Sequence, residues 1–252
     1  MNGWSPGVGP GLDIAIDQLR SSELTVVGRL PWSSNLTFLV ALGTGEHDGP
    51  EPPAAVPLYA VYKPATGEQS LWDFPDGLYR REVTAYALSE ALGWGIVPPT
   101  VERHDGPFGP GSLQLFVEAD YEQHYFTLFD RGDHEAALRT MCTFDIAANN
   151  ADRKSGHVLE GADGRLWAID HGLCFHRQPK LRTVIWDFAD EEVPRHLLDD
   201  LERLAGDLPD TVRRLLNGPE REGLVDRIGR LVAAGTFPEP TGDRPPYPWP
   251  LV

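Results

Sequence analysis

The stretch covering residues 144–175, FDIAANNADRKSGHVLEGADGRLWAIDHGLCF, constrains this chain most. A helix is predicted over residues 135–149, because Ala137, Leu138, Met141, Phe144 and Ala148 fall near the three- and four-residue steps of a buried helical face. A charge-rich loop, NADRKSGH from Asn150 to His157, follows it. Val158-Leu159 and residues 166–169 read as two short strands joined by the turn GADG at 161–164. Asp152 and Asp170, 18 residues apart, then fall at the two ends of one hairpin and would face one ligand. Two carboxylates so placed suit metal-assisted phosphoryl transfer: one orients an acceptor hydroxyl and takes its proton, the other holds a Mg²⁺ against nucleotide phosphates. The same residues equally suit a turn cap and a strand end.

A chain of 252 residues accommodates one large domain or two small lobes around a shared cleft. With 41% apolar and 24% charged residues it reads as an ordinary globular protein, and no apolar run approaches the length of a membrane span. The start, MNGWSPGVGPG, has neither a basic flank nor an apolar core, so a cytoplasmic protein without a signal peptide is expected. Cys142 and Cys174 then read as buried thiols rather than a disulfide or zinc site, and the Asn35 sequon is void. A net charge of −16 disfavours nonspecific binding to nucleic acid or an anionic bilayer. A few placed cations and a metal still admit an anionic nucleotide, and short basic groups stand at Arg80-Arg81 and Arg153-Lys154.

From its start, the chain reads as a short amphipathic helix at 12–20, then strands at 23–27 and 37–42. The hairpin connection between them carries Ser33, Ser34 and Asn35, whose hydroxyls and backbone N–H groups would cover phosphates. Residues 44–57, rich in Pro and Gly, are expected as an exposed insertion. A third strand over 58–62 ends in Lys63-Pro64; an ammonium there wants nucleotide phosphates, a surface carboxylate or solvent. The helix predicted over 78–92, stopped by Gly93, carries Glu82 near its start, where it would reach Lys63 or remain solvated at the helix N-terminus. Residues 96–101 approach a strand after Pro98-Pro99, and with a strand at 112–117 they lead to a connector at which Gln114, Phe116 and Val117 would meet adenine. Three further helices are expected at 194–204, 209–216 and 224–234, then a Pro-rich tail over 237–252, either loose or laid along the surface. The natural division is an N-terminal nucleotide-binding lobe over 1–117 and a C-terminal helical lobe over 118–252.

Four local motifs in this order carry a family resemblance. Val61-Tyr62-Lys63-Pro64 resembles the strand Lys-Pro pair of the protein-kinase-like superfamily, whose Lys contacts phosphates. The helix with Glu82, followed by Gly95-Ile96-Val97-Pro98, resembles the helix bearing the Lys-pairing Glu. Asn150-Ala151-Asp152-Arg153 resembles the catalytic loop of lipid kinases and, more distantly, of HipA-type serine kinases. Ile169-Asp170-His171-Gly172 is similar to the metal-binding Asp-Phe-Gly motif. Over about residues 23–190 the chain is similar to phosphatidylinositol 3- and 4-kinase-related proteins of actinobacteria.

The resemblance implies an α+β, two-lobed protein-kinase-like fold. It implies ATP and Mg²⁺ or Mn²⁺ as cofactors, and transfer of the γ-phosphate to a hydroxyl acceptor, whether lipid, protein or small molecule. Lys63 would bind the α/β-phosphates under the orientation of Glu82, and Asp152 would orient the acceptor. Asp170 and His157 would hold metal, and Arg153 or Lys154 would stabilise transition-state charge. One departure stands out: the family carries a metal-holding Asn five residues after its catalytic Asp, where this chain has His157. Imidazole is the poorer Mg²⁺ ligand, which leaves open Mn²⁺ use, a single metal, or an inactive nucleotide-binding pseudokinase. Nucleotidyl transfer is a third alternative.

Overall fold

The computed structural model describes residues 12–31, 33, 35–43, 58–240 and 245–251. Ser34 and the insertion expected at 44–57 lie outside them. The chain forms two compact units, Met1–Val83 with Pro98–Glu118, and Thr84–Val97 with Ala119–Val252.

The first unit contains α1 (Leu12–Ser21), β1 (Leu24–Arg29), β2 (Phe38–Leu42), β3 (Leu58–Pro64), the start of α2 (Tyr79–Leu92), β4 (Thr100–Arg103) and β5 (Gly111–Leu115). Its five strands pair antiparallel in the order β1-β2-β3-β5-β4. Side chains alternate across a strand, so Ala60, Tyr62 and Pro64 are buried on one side of β3 while Tyr59, Val61 and Lys63 take the other. The buried side joins Val40, Leu42, Val101 and Leu113 to Leu19 of α1 in one core. Arg103 secures that helix, donating to the carbonyls of Leu19 at 2.8 Å and Ser22 at 3.1 Å.

Gly111 pairs with Pro64 in the β3–β5 register, and a Cβ there would overlap the Lys63 carbonyl and the Pro64 backbone. Gly111→Ala is therefore expected to destabilise the protein by about 1–3 kcal/mol through forced strand separation. Thermal melting checks this, and an unchanged midpoint would mean β5 has room to spare.

The second unit holds the rest of α2, then α3 (Tyr125–Arg131), α4 (Glu135–Ala148), β6 (Val158–Glu160), β7 (Leu166–Ala168), α5 (Arg195–Gly206), α6 (Asp210–Leu215) and α7 (Gly218–Ala234). Its core gathers Leu138, Met141, Phe144 and Ala148 of α4 with Leu201 of α5 and Leu224, Ile228 and Leu231 of α7. Cys142 and Cys174 are free and buried.

The strand expected after Pro98-Pro99 starts at Thr100, because Pro98 and Pro99 offer no N–H to a ladder and the Ile96 carbonyl accepts from Ala168 N–H at 2.7 Å. Two elements differ from the sequence expectation. The helix α3 was not anticipated; the His124–Thr127 capping box starts it, and Gly132 in the left-handed conformation ends it. Helix α7 begins at Gly218 rather than 224, since a Pro in the first helical turn sacrifices only an N–H that has no helical partner, and Asn217 caps the end through Glu220 N–H.

Candidate active site

In the first unit, Lys63 sits on the sheet face away from the α1 core and donates its ammonium to Glu82 Oε1. Glu82 is 3% exposed and Lys63 23%, so the carboxylate is sheltered and the lysine side chain is partly exposed. Glu68, which sequence reasoning did not single out, fixes the helix that presents Glu82. Its carboxylate accepts the N–H groups of Gly77 at 2.9 Å and Tyr79 at 2.7 Å, satisfying donors that a helix start leaves open.

The other residues expected around a nucleotide are placed as follows. Gln114 is buried on the Lys63 side of the sheet, and its amide donates to Thr100 Oγ1 at 2.9 Å. Phe116 N–H continues the pairing past β5 by donating to the Tyr59 carbonyl at 3.0 Å, and Val117 follows it. Asn35 Oδ1 accepts from Gln69 N–H at 2.9 Å, which ties the β1–β2 connection down, while Ser33 is half-buried.

In the second unit, β6 and β7 pair antiparallel as the hairpin expected from sequence, with Val158 opposite Ala168. Asp152 lies six residues before it and Asp170 two residues after it. The loop that carries Asp152 is tied down by several hydrogen bonds. Asn149 closes α4 in the left-handed conformation, and Asn150 Nδ2 donates to Asp145 at 3.0 Å while its Oδ1 accepts Asp152 N–H at 3.0 Å.

Arg153 departs most from expectation. Rather than facing a transferring phosphate, its guanidinium is fully buried and forms a bidentate pair with Asp145 of α4, at 2.9 and 3.0 Å. It also donates to the carbonyls of His157 at 3.2 Å and Ile169 at 2.7 Å, the residues flanking the hairpin. A further donor meets His171 Nε2 at 2.8 Å, which makes that nitrogen an acceptor. The physical reason is Asp145: a carboxylate buried in α4 needs a cation, and Arg153 is the one the fold delivers. Asp145 and His171 were both missed in the sequence. An aspartate adjoining the buried stripe of α4, eight residues before an arginine, was the available signal.

Lys154 is half-buried, its ammonium 3.3 Å from Asp152. Burial raises the Asp152 carboxyl pKa to about 6, Lys154 opposes this, and the negative charge of Asp170 adds to it. Asp170 is about half exposed and adopts a φ of 60°, a conformation aspartate tolerates better than most residues. His157 Nδ1 accepts Lys154 N–H at 3.4 Å, and its other nitrogen, Nε2, stands 3.4 Å from Asp170 Oδ2. In that tautomer the ring turns a proton, not a lone pair, toward Asp170.

Among the described residues, no group of three or more His, Cys, Asp or Glu side chains is gathered to hold a metal ion alone. Two carboxylates whose charges oppose one another nevertheless suit Mg²⁺ or Mn²⁺, which binds through one or two carboxylates together with substrate phosphates and water. No helix among the described residues is long and apolar enough to cross a membrane.

Comparison with known proteins extends these observations. Protein Rv2133c of Mycobacterium tuberculosis (strain ATCC 25618 / H37Rv) is 37% identical over 272 residues, spanning 92% of this chain and 93% of that protein. The Golgi casein kinase crystallised with Mn/ADP superposes with a TM-score of 0.53 at 12% identity, covering 88% of this chain and 74% of that one. Hydra Fam20 with sugar gives a TM-score of 0.50 at 15% identity, covering 90% and 89%. These similarities make the α+β fold protein-kinase-like. The family model for phosphatidylinositol 3- and 4-kinase matches residues 82–212, which run from the Lys63-pairing glutamate through both aspartate loops. The chain belongs to the phosphatidylinositol 3- and 4-kinase family.

Proposed function

We propose that the protein is an ATP-dependent phosphotransferase that moves a γ-phosphate to a hydroxyl acceptor. The observation that carries this reading is the pair of aspartates flanking one hairpin, with the negative charge of Asp170 helping burial to raise the Asp152 carboxyl pKa. In this reading Asp152 orients the acceptor hydroxyl and receives its proton, a task suited to a carboxylate whose pKa is pushed toward neutrality. Asp170 holds the divalent cation, which when bound neutralises charge on the transferring phosphates. His157 steers the Asp170 carboxylate from Nε2. Lys63, steadied by Glu82, binds the α/β-phosphates, and Lys154 supplies the loop's half-buried cation. Gln114, Phe116 and Val117 are assigned to adenine, and Ser33, Ser34 and Asn35 to covering the phosphates.

ADP production with Mg²⁺ or Mn²⁺ tests this, scanning lipid, peptide and small hydroxyl acceptors. Asp170→Ala is expected to lower turnover by about 10²–10³-fold while the fold is kept, with a small loss of melting temperature because alanine tolerates the positive φ at this position less well than aspartate. An Asp170→Ala variant with full phosphotransfer would end the assignment.

The turn of His157 toward Asp170 favours one second reading, nucleotide binding without transfer. It predicts ATP protection in thermal melting without ADP formation. Mass spectrometry of the products separates both readings from AMP transfer.

A further inference from the structure

Residues 245–251, PPYPWPL, are anchored on the loop that carries Asp152. The Leu251 carbonyl accepts Ser155 N–H at 2.8 Å, three residues beyond Asp152. The Pro246 carbonyl accepts two donors, Thr183 N–H at 3.1 Å and the Trp186 indole Nε1–H at 3.2 Å. Thr183 bridges to Arg153 in a short parallel pairing, in which Arg153 N–H donates to the Arg182 carbonyl and Val184 N–H to the Arg153 carbonyl, both at 3.1 Å. The segment thus holds the Asp152 loop on one flank directly and on the other through the strand of chain beside it.

Its composition suits that task. Proline has no N–H, so these residues bring few donors to a ladder of their own and leave carbonyls to accept from neighbouring chain, and an extended proline-rich chain loses little conformational freedom on docking. Ser155 and Thr183 are both buried, and Pro248 is buried between the two anchor points. Without the segment, two buried N–H groups would lose their acceptors, and the loop would have to move to reach water.

We infer that residues 245–251 form a positioning strap that holds the Asp152 loop in its phosphotransfer geometry. This rests on the reading of Asp152 as the acceptor-orienting residue. Its anchors are Ser155, Thr183 and Trp186, none of them assigned to ATP, so its loss should act on turnover and spare ATP binding.

The test compares the full chain with a chain lacking residues 245–252, using ATP turnover and amide hydrogen exchange. In the shortened chain, kcat is expected to fall at least tenfold with the KM for ATP within twofold. The Ser155 and Thr183 amides should exchange at least tenfold faster, and a synthetic PPYPWPLV peptide should restore both readouts. Unchanged or increased kcat overturns the inference, the latter marking the segment as an inhibitory cover. Unchanged exchange at the two amides overturns it too, as does faster exchange spread through α5 and α7, which would make the segment merely structural. If the full chain shows no turnover, the phosphotransfer reading fails, while exchange at Ser155 and Thr183 still decides whether the strap holds the loop.

Discussion

Asp152→Asn is expected to lose catalysis and gain stability. Removing a positioned proton acceptor costs about 10²–10⁴-fold in turnover. The gain comes from linkage. The carboxyl titrates at about 6 in the folded protein and near 3.8 in an unfolded chain, so between these values the native state binds the proton more tightly. Stability therefore falls as pH rises through that window, and above it the folded protein carries the whole cost of a desolvated carboxylate. An amide does not ionise and escapes that cost. At pH 8 in metal-free buffer the variant should be more stable by about 2 kcal/mol, a value reduced from the full shift because the side chain is partly exposed and Lys154 is near. That corresponds to about 5 °C in melting temperature. The difference should close below about pH 4, where both proteins are uncharged at this position. A variant that melts below the parent at pH 8, or keeps parental turnover, would contradict the role given to Asp152.

Arg153→Ala should have the largest effect on folding. It strands the buried Asp145 carboxylate without a cation and withdraws donors from the His157 and Ile169 carbonyls. Breaking a buried ion pair from one side costs about 3–5 kcal/mol. Replacing both partners, with Asp145→Leu and Arg153→Met, removes the stranded charge and should recover most of that stability. Turnover should stay low in the double variant, because the hairpin ends that place Asp152 and Asp170 lose their common anchor. Urea unfolding with ADP production measures both effects. A single variant with the parental midpoint, or a double variant with full turnover, would show that Arg153 does not position the site.

Much of the chain was legible because its cues are local. The α4 periodicity, the turn between β6 and β7, and the alternation along β3 each depend on residues within one element, so spacing alone revealed them. Errors arose where a local cue has two meanings. Proline at 98 and 99 correctly marked where β4 cannot yet start, but Pro219 lies in the first turn of α7, because a missing N–H harms a ladder and not a helix's first turn. The stretch YFTLFDR of α3 carries too few helix-favouring residues to stand out, and only its caps reveal it.

The sequence by itself determined which chemical groups are available and their order: a strand-ending lysine, a helix glutamate, and two aspartates either side of a hairpin. Tertiary structure alone decided what each charge does. Arg153 and Lys154 are neighbours in the chain, yet one is fully buried against Asp145 and the other is half-buried beside Asp152. Only the fold seated residues 245–251 against the Asp152 loop. The physical reason is that a charge or a backbone donor takes its meaning from solvent exposure and from its partner, and both are set by contacts between residues far apart in the chain.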